Sequence, residues 1–514
     1  MTRRPTMLLS ALAVALVAAV ALVAALGAGD ADAGAEARAK GAALVPADAL
    51  AYASVAMDRD GAQWQALEGL AARIPGGADK LGELDRMMTG DEDGAAVMRA
   101  LGGDISVGLL GVDLAGGLEP SADAVLVATE ADGAALVREL EQMGFAAGPA
   151  IDGASVWEQG ASAVAVDGGL VIGATSRATL REALEVRAGE SPALADEDAF
   201  RATVAKLPDE PLALAYLSPA RLAPLAQAAA ALVPQQESDG MPNAQAQVAD
   251  LVQSLGDVRG LGIAVRAEAG GLRLAAAGDA DEDALAARGL DAPDAFAPTI
   301  LGRVPADAAG AAAFADLGPR LLAAVRQLEA ASPQMAGYVA SIELATGVDL
   351  EADLAPALTG QHALVALGGD EPRGALLLLP PNPTAAGATL GRLRGFVDDA
   401  GLVQGLGDRA GKAADVQVTR QEGGPVIAVG TAPGLAALPA NPLAEDAGYR
   451  ALLDEAGVPD LVTGLAWANP AVLRAEAARK AAAEGEELPQ ALDAVTGLVA
   501  WGEPGGAGAF IAIG

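Results

Sequence analysis

The stretch 44-LVPADALAYASVAMD-58 returns, altered, as 303-RVPADAAGAAAFADL-317. In each copy Pro46 or Pro305 fixes the backbone and Asp48 or Asp307 suits a turn. In the first copy "LAYASVAM" then alternates like a half-buried strand. A five-residue match arises easily in an Ala-rich chain. The test is whether further matches follow in the same order.

They do. "LGGDISVGLL" (Leu101–Leu110) resembles "LTGQHALVAL" (Leu358–Leu367). "DAVLVATEADGAALVREL" has a counterpart in "GALLLLPPNPTAAGATLGRL", and "GGLVIGATS" in "GGPVIAVGT". "SPALADEDAFRA" matches "NPLAEDAGYRA", "LAYLSPARL" matches "LAWANPAVL", and "DVRGLGIAV" matches "AVTGLVAWG". The expectation is a duplicated α+β protein, with repeats at 44–280 and 304–514 and a connector at 281–303. Each half should be a mostly antiparallel sheet with helices packed on one face.

The local patterns fill in those halves. Trp64, Leu67, Ala71 and Ile74 share a helical face. "DAVLVAT" reads as a strand followed by a helix carrying Leu136, Leu140 and Met143 on one side. "ASVWEQG", "SAVAVDG" and "GLVIGATS" read as a meander with Gly-containing turns. "GLGIAVRAEAGGLRLAAAGDA" reads as a hairpin turning at Gly270-Gly271. Ser218-Pro219 and Asn469-Pro470 combine a cap residue with a proline at the first helical position, so each ends a strand and starts a helix.

The amino terminus reads as an address. Arg3 and Arg4 precede an uncharged, mostly apolar run from Met7 to Leu26. A bilayer core requires about 20 such residues, whereas a secretory h-region requires about 7–15. Residues 1–33 are therefore read as a retained single anchor, an N-terminal apolar helix, with a signal peptide cleaved after Ala33 as the alternative. In either case the two arginines stay in the cytoplasm and the body lies outside. Residues 34–43 read as a flexible tether.

Composition narrows the chemistry. Of 514 residues 52% are hydrophobic but only 3% aromatic, so Ala, Val and Leu must build the cores. The net charge of −35 repels nucleic-acid phosphates and anionic headgroups. There is no Cys, which excludes disulfides and thiolate catalysis. The single histidine, His362, falls on a strand position facing Ile105 of the first half and reads as a satisfied core residue. Gly405–Gly411 departs from the phosphate-loop spacing and reads as a plain loop. The acidic clusters Asp91-Glu92-Asp93-Gly94 and Asp279, Asp281, Glu282, Asp283 read as solvated, with incidental Ca²⁺ binding as the alternative. Ala284 and Leu290 stand where a calcium loop needs Gly and Glu. Trp64, Trp157, Trp467 and Trp501 read as core residues. No catalytic, cofactor-binding or metal-ligating residue is singled out.

The segment "LVPADALAYASVAMDRDGAQWQALEGLAARIPG" after an anchor or signal resembles domain-of-unknown-function family 3352. "LGGDISVGLL" and "LADEDAFRATVAKLPDEPLALAYL" look like later blocks of that family. The resemblance implies an exported or membrane-anchored envelope protein of high-GC bacteria and brings no activity with it. The expected function is a non-catalytic, membrane-tethered or secreted extracytoplasmic scaffold or interaction module, not an enzyme. Its partners would be the membrane, through the N-terminal helix, and an envelope protein or apolar ligand, with no nucleic acid and no cofactor. The alternatives are a carrier for an apolar envelope molecule and, behind it, a carboxylate-dependent hydrolase.

Overall fold

The computed structural model describes residues 40–89, 92–113, 121–129, 131–232, 256–286, 293–331, 333–369, 373–399, 416–420, 425–431, 435–436, 438, 441–485 and 488–514. Helices and strands are mixed, and every strand pairing described below is antiparallel. Two compact units divide the chain. One is Met1–Leu285 with Gly505–Ala509 and Ile513; the other is Ala286–Pro504 with Phe510–Ala512 and Gly514.

In the first unit, β1 (Ala51–Ala56) follows the turn at Pro46 and lies between β2 (Asp104–Asp113) and β8 (Ala213–Leu217). Beyond β2 come β3 (Ser121–Ala128), β7 (Leu170–Ala174), β6 (Ser162–Asp167), β5 (Ala154–Gln159) and β4 (Ala146–Ile151). Beyond β8 come β9 (Val258–Glu268) and β10 (Gly271–Ala280), the hairpin anticipated around Gly270. The strand β4 is too poor in large apolar residues to have been anticipated.

Helices cover both faces of this sheet, which corrects the expected single face. Successive side chains on a strand point to opposite sides. Val125 and Val127 of β3 join a core with Leu180, Ala183 and Leu184 of helix Arg177–Ala188 and with Phe200. Leu126 and Ala128 join a second core with Leu136 and Leu140 of helix Gly133–Gln142 and with Leu101. The uninterrupted apolar run "AVLVA" is what a strand buried on both faces requires. Helix Arg177–Ala188 starts where Ser176 Oγ accepts from Thr179 N at 3.1 Å and ends at Gly189, which takes the left-handed conformation a C-cap favours. The helix from Ala62 ends at Ala71, so Ile74 lies beyond it, and Leu70 is buried instead.

In the second unit, β11 (Ala308–Ala315) lies between β12 (Gln361–Leu367) and β16 (Gly464–Ala468). Past β12 come β13 (Arg373–Leu379), β15 (Ile427–Thr431) and β14 (Val416–Arg420); past β16 comes β17 (Val495–Glu503). The last strand, β18 (Gly506–Ile513), has residues assigned to each of the two units. Here too both faces carry a core. Leu377 packs with Tyr449 and Trp467, whereas Leu378 packs with Ala386 and Leu390 of helix Pro383–Asp399. Asn469 Oδ1 accepts from Ala471 N and Val472 N, the anticipated cap on helix Pro470–Glu484. Ser218 differs, its Oγ lying 3.5 Å from the carbonyl oxygen of Arg259.

Among the described residues, no helix is long and apolar enough to cross a membrane. The anticipated anchor, Met7–Leu26, lies outside the described residues, as does the loop Gly405–Gly411.

Candidate functional site: two cavities and a buried histidine

The first unit holds a cavity of about 270 Å³ beside β1 and β2. The alternation of β1 sends Tyr52 and Ser54 to the same side. Ser106 of β2 meets them there, its Oγ 2.9 Å from the Tyr52 hydroxyl. Gly41 makes this pair possible, because a Cβ there would sit 2.0 Å from Ser106 Oγ and 2.9 Å from the Tyr52 hydroxyl. Asp58, Asp104 and Glu210 add acid to the rim, and Lys40 and Gln63 complete much of the wall. Burial pushes the Tyr52 phenol above its ordinary range, only partly offset by the Ser106 contact. Tyr52 therefore holds its proton at neutral pH and acts as a hydrogen-bonding group, not as a base for Ser106.

The second unit holds a more open cavity of about 510 Å³. Arg373, Arg479 and Asp307 give it charge, and Ala471, Val472 and Ala475 of helix Pro470–Glu484 form an apolar wall. Arg373 Nη2 donates to the carbonyl oxygen of Gly368 at 2.6 Å, and Gly369 N donates to Glu476 Oε1 at 2.8 Å. Both cavities thus combine apolar wall with a few charged or hydroxyl-bearing groups.

His362 sits on β12, fully buried, as the strand pattern implied. Its Nε2 donates to the carbonyl oxygen of Leu358 at 2.9 Å, so Nδ1 carries the lone pair, and that nitrogen is buried without a partner. Phe314 lies against the ring, with centroids 5.4 Å apart. Burial holds the imidazole below its ordinary pKa, against the opposing pull of Leu358 O and Asp316.

The other sequence candidates have structural roles. Asp279 pairs with Arg259 at 2.9 Å, and Asp281 Oδ1 accepts from Ala284 N at 3.0 Å. Among the described residues no group of three or more His, Asp or Glu side chains is placed to hold a metal ion. Asp91 lies outside the described residues. Trp64, Trp467 and Trp501 are buried, and Trp157 is half-buried against the core under β5. Trp64 Nε1 donates to Ala56 O at 2.6 Å and Trp501 Nε1 to Glu503 Oε1 at 2.9 Å. The carboxyl of Glu182 is raised, first by partial burial and then by Asp48, Glu185 and Asp123. Glu182 lines neither cavity.

The model of a family described as "Protein of unknown function (DUF3352)" matches residues 146–414. The chain belongs to this family. The DUF3352 match begins at β4 and takes in "LADEDAFRATVAKLPDEPLALAYL", whereas Leu44–Gly76 precedes it. No curated protein matches the chain. Among solved structures, crystal form III of TP0453 shares 9% identity at a TM-score of 0.22 over 46% of this chain and 79% of its own. Crystal form IV gives 9% and 0.22 over 48% and 83%, and form I gives 9% and 0.22 over 46% and 78%. At that level neither fold nor function passes from TP0453 to this DUF3352 protein.

Proposed function

We propose that this chain is a non-catalytic interaction module of the extracytoplasmic cell envelope, tethered to the membrane by Met7–Leu26 and built from two copies of one α+β unit. The first copy is 44–280, the second 304–514, with 281–303 between them.

The duplication is supported by contacts that recur at matched positions. Leu194 N donates to Val45 O at 2.8 Å, and Leu443 N to Val304 O at 2.7 Å. Ser218 N donates to Leu50 O and Asn469 N to Ala309 O, both at 2.9 Å. Tyr52 stands opposite Tyr216 across β1 and β8, as Ala311 stands opposite Trp467 across β11 and β16. Phe200 meets Tyr216 edge-on at 5.0 Å, and Tyr449 meets Trp467 edge-on at 5.8 Å. His362 takes the place of Ile105, each pairing with the β1-type strand through Phe314 or Val55. The hydroxyl cluster is not shared. Gly41, Tyr52 and Ser106 correspond to Ile300, Ala311 and Ala363, so one large side chain has moved between positions that fill the same space. That exchange reads as alternative core filling.

One observation carries the interaction reading. Helix Pro333–Thr346 lies on the surface with Tyr338 66% and Leu344 88% exposed. Large apolar side chains grouped on one exposed element mark contact surfaces.

The test is proteolysis of spheroplasts together with alkaline extraction of their membranes. The body should be digested from outside, and an intact chain should stay with the membrane until Met7–Leu26 is deleted. A chain protected in the cytoplasm, or lost equally with and without that segment, contradicts the proposal.

A further inference from the structure

We infer that helix Pro333–Thr346 is a docking surface for a second copy of this chain; the inference rests on the interaction reading above and names its partner. The helix is apolar around most of its circumference, and such helices are ordinarily buried. At 3.6 residues per turn, Leu344, Gly337, Ser341, Ala345 and Tyr338 fall on one arc of about 120°. All five are exposed.

That arc has no charged side chain in a chain of net charge −35. The helix's one carboxylate, Glu343, lies off the arc and accepts from Leu350 N at 2.9 Å. Its serine and threonine hydroxyls bond back to the helix backbone. Ser341 Oγ donates to Gly337 O, and Thr346 Oγ1 donates to Ile342 O, each at 2.7 Å. These groups already have protein partners and lose less when water leaves. Two acidic molecules can therefore meet here without like charges in contact. A basic partner would find no carboxylate on the arc, and an anionic lipid surface would repel the acidic body.

The arc also suits its own mirror contact. Gly337, Ser341 and Ala345 leave shallow gaps, and Tyr338 and Leu344 flank them as knobs, so a two-fold pairing sets each large residue against small ones. A Cβ at Gly337 would meet no atom within 4 Å in the single chain, so that gap is open. Leu328 of the preceding helix, Leu317–Ala331, is 51% exposed and enlarges the apolar surface. One helix about 21 Å long and about 10 Å wide offers roughly 200 Å² per copy. That is about a quarter of what a standard interface buries per partner, so the pair should be weak in free solution and favoured where tethers confine both copies.

The test uses the absence of native cysteine. Ala345→Cys and, as a control on an exposed helix elsewhere, Ala478→Cys are introduced singly into the full chain in its own membrane. Under mild oxidation Ala345→Cys should yield covalent dimers at least tenfold faster than Ala478→Cys. Adding Leu344→Asp should return that rate to the control value. Sedimentation of the detergent-extracted chain should show dimer increasing with salt, because screening weakens the general repulsion. Equal cross-linking at the two sites, or no response to Leu344→Asp, would overturn the inference. So would a chain monomeric at every salt concentration whose Leu344→Asp variant instead loses binding to protein-free lipid vesicles, which would assign the helix to lipid. The spheroplast assay is independent of these results, so failure here leaves the tethering and outward placement of the body open to their own test.

Discussion

The backbone N–H of Leu194 meets the carbonyl oxygen of Val45 at 2.8 Å. This bond ties the turn before β1 to the segment that follows helix Arg177–Ala188. Arg221 strengthens the tie by donating to Ala47 O and pairing with Glu197 at 3.1 Å. Pro46 also bridges to Ala193. The VPADA stretch is thus a clamp, and its conformation depends on residues far along the chain.

Leu194 and Leu443, which correspond under the proposed duplication, are both fully buried. Leu194→Ala and Leu443→Ala should each cost about 2–5 kcal/mol, the range for emptying a packed leucine site. Urea unfolding followed by Trp fluorescence would check this. Similar losses from both variants are expected; a loss below about 1 kcal/mol from either contradicts the matched roles.

Gly260 and Gly497 are a second pair that the proposed duplication aligns. A Cβ at Gly260 would lie 2.5 Å from Thr203 Oγ1 and 2.9 Å from the Tyr216 ring, and one at Gly497 would lie 2.6 Å from Leu452 Cδ1. Thr203 and Leu452 correspond under the proposed duplication and lie on helices Asp198–Val204 and Ala447–Ala456. Gly260→Ala and Gly497→Ala should each destabilise by about 1–3 kcal/mol through overpacking. Thermal unfolding would measure both.

The Tyr52–Ser106 pair predicts non-additivity. Ser106→Ala removes the 2.9 Å partner of the buried Tyr52 hydroxyl, which keeps Ser54 and the Ala42 backbone, at a cost of about 0.5–1.5 kcal/mol. Tyr52→Phe in that background should cost much less than it does alone. A double-mutant cycle showing strict additivity would refute the coupling.

His362 predicts acid sensitivity. Its folded-state pKa is lowered, chiefly by burial, so the unfolded chain takes up a proton first. This contribution to stability is complete above about pH 6.5, the unfolded value. It is lost as pH falls from there towards the folded pKa. His362→Ile, which installs the residue found at position 105, should remove that component from a pH series of unfolding midpoints. An unchanged acid slope in the variant would show that other groups are responsible.

Much of the architecture was legible because it lies in local pattern. The meander β5–β6–β7, the hairpin at Gly270 and the cap at Asn469 each follow from a short stretch with strong turn or cap chemistry. The sheet's second covered face was harder to read. The run Ala124–Ala128 signals burial on both sides, but which helices supply the cover depends on chain reversals that no local pattern encodes. The exposed helix Pro333–Thr346 was equally hidden, since an apolar helix reads as core and only the fold shows that it lies outside. The hydroxyl cavity was missed because Tyr52, Ser54 and Ser106 are ordinary strand residues until β1 and β2 set them side by side. Gly41, set against Tyr52 and Ser106, was the available signal, and its meaning emerges only with the contact in view.

The proposed molecule is a duplicated, tethered body that acts through contact. The most direct test is native mass spectrometry of the chain released from its own envelope. The expected spectrum holds the mass of a chain that retains Met7–Leu26, alone and doubled, with no additional non-protein mass. A discrete bound cargo on a single chain, with no doubled species at any salt concentration, would contradict it.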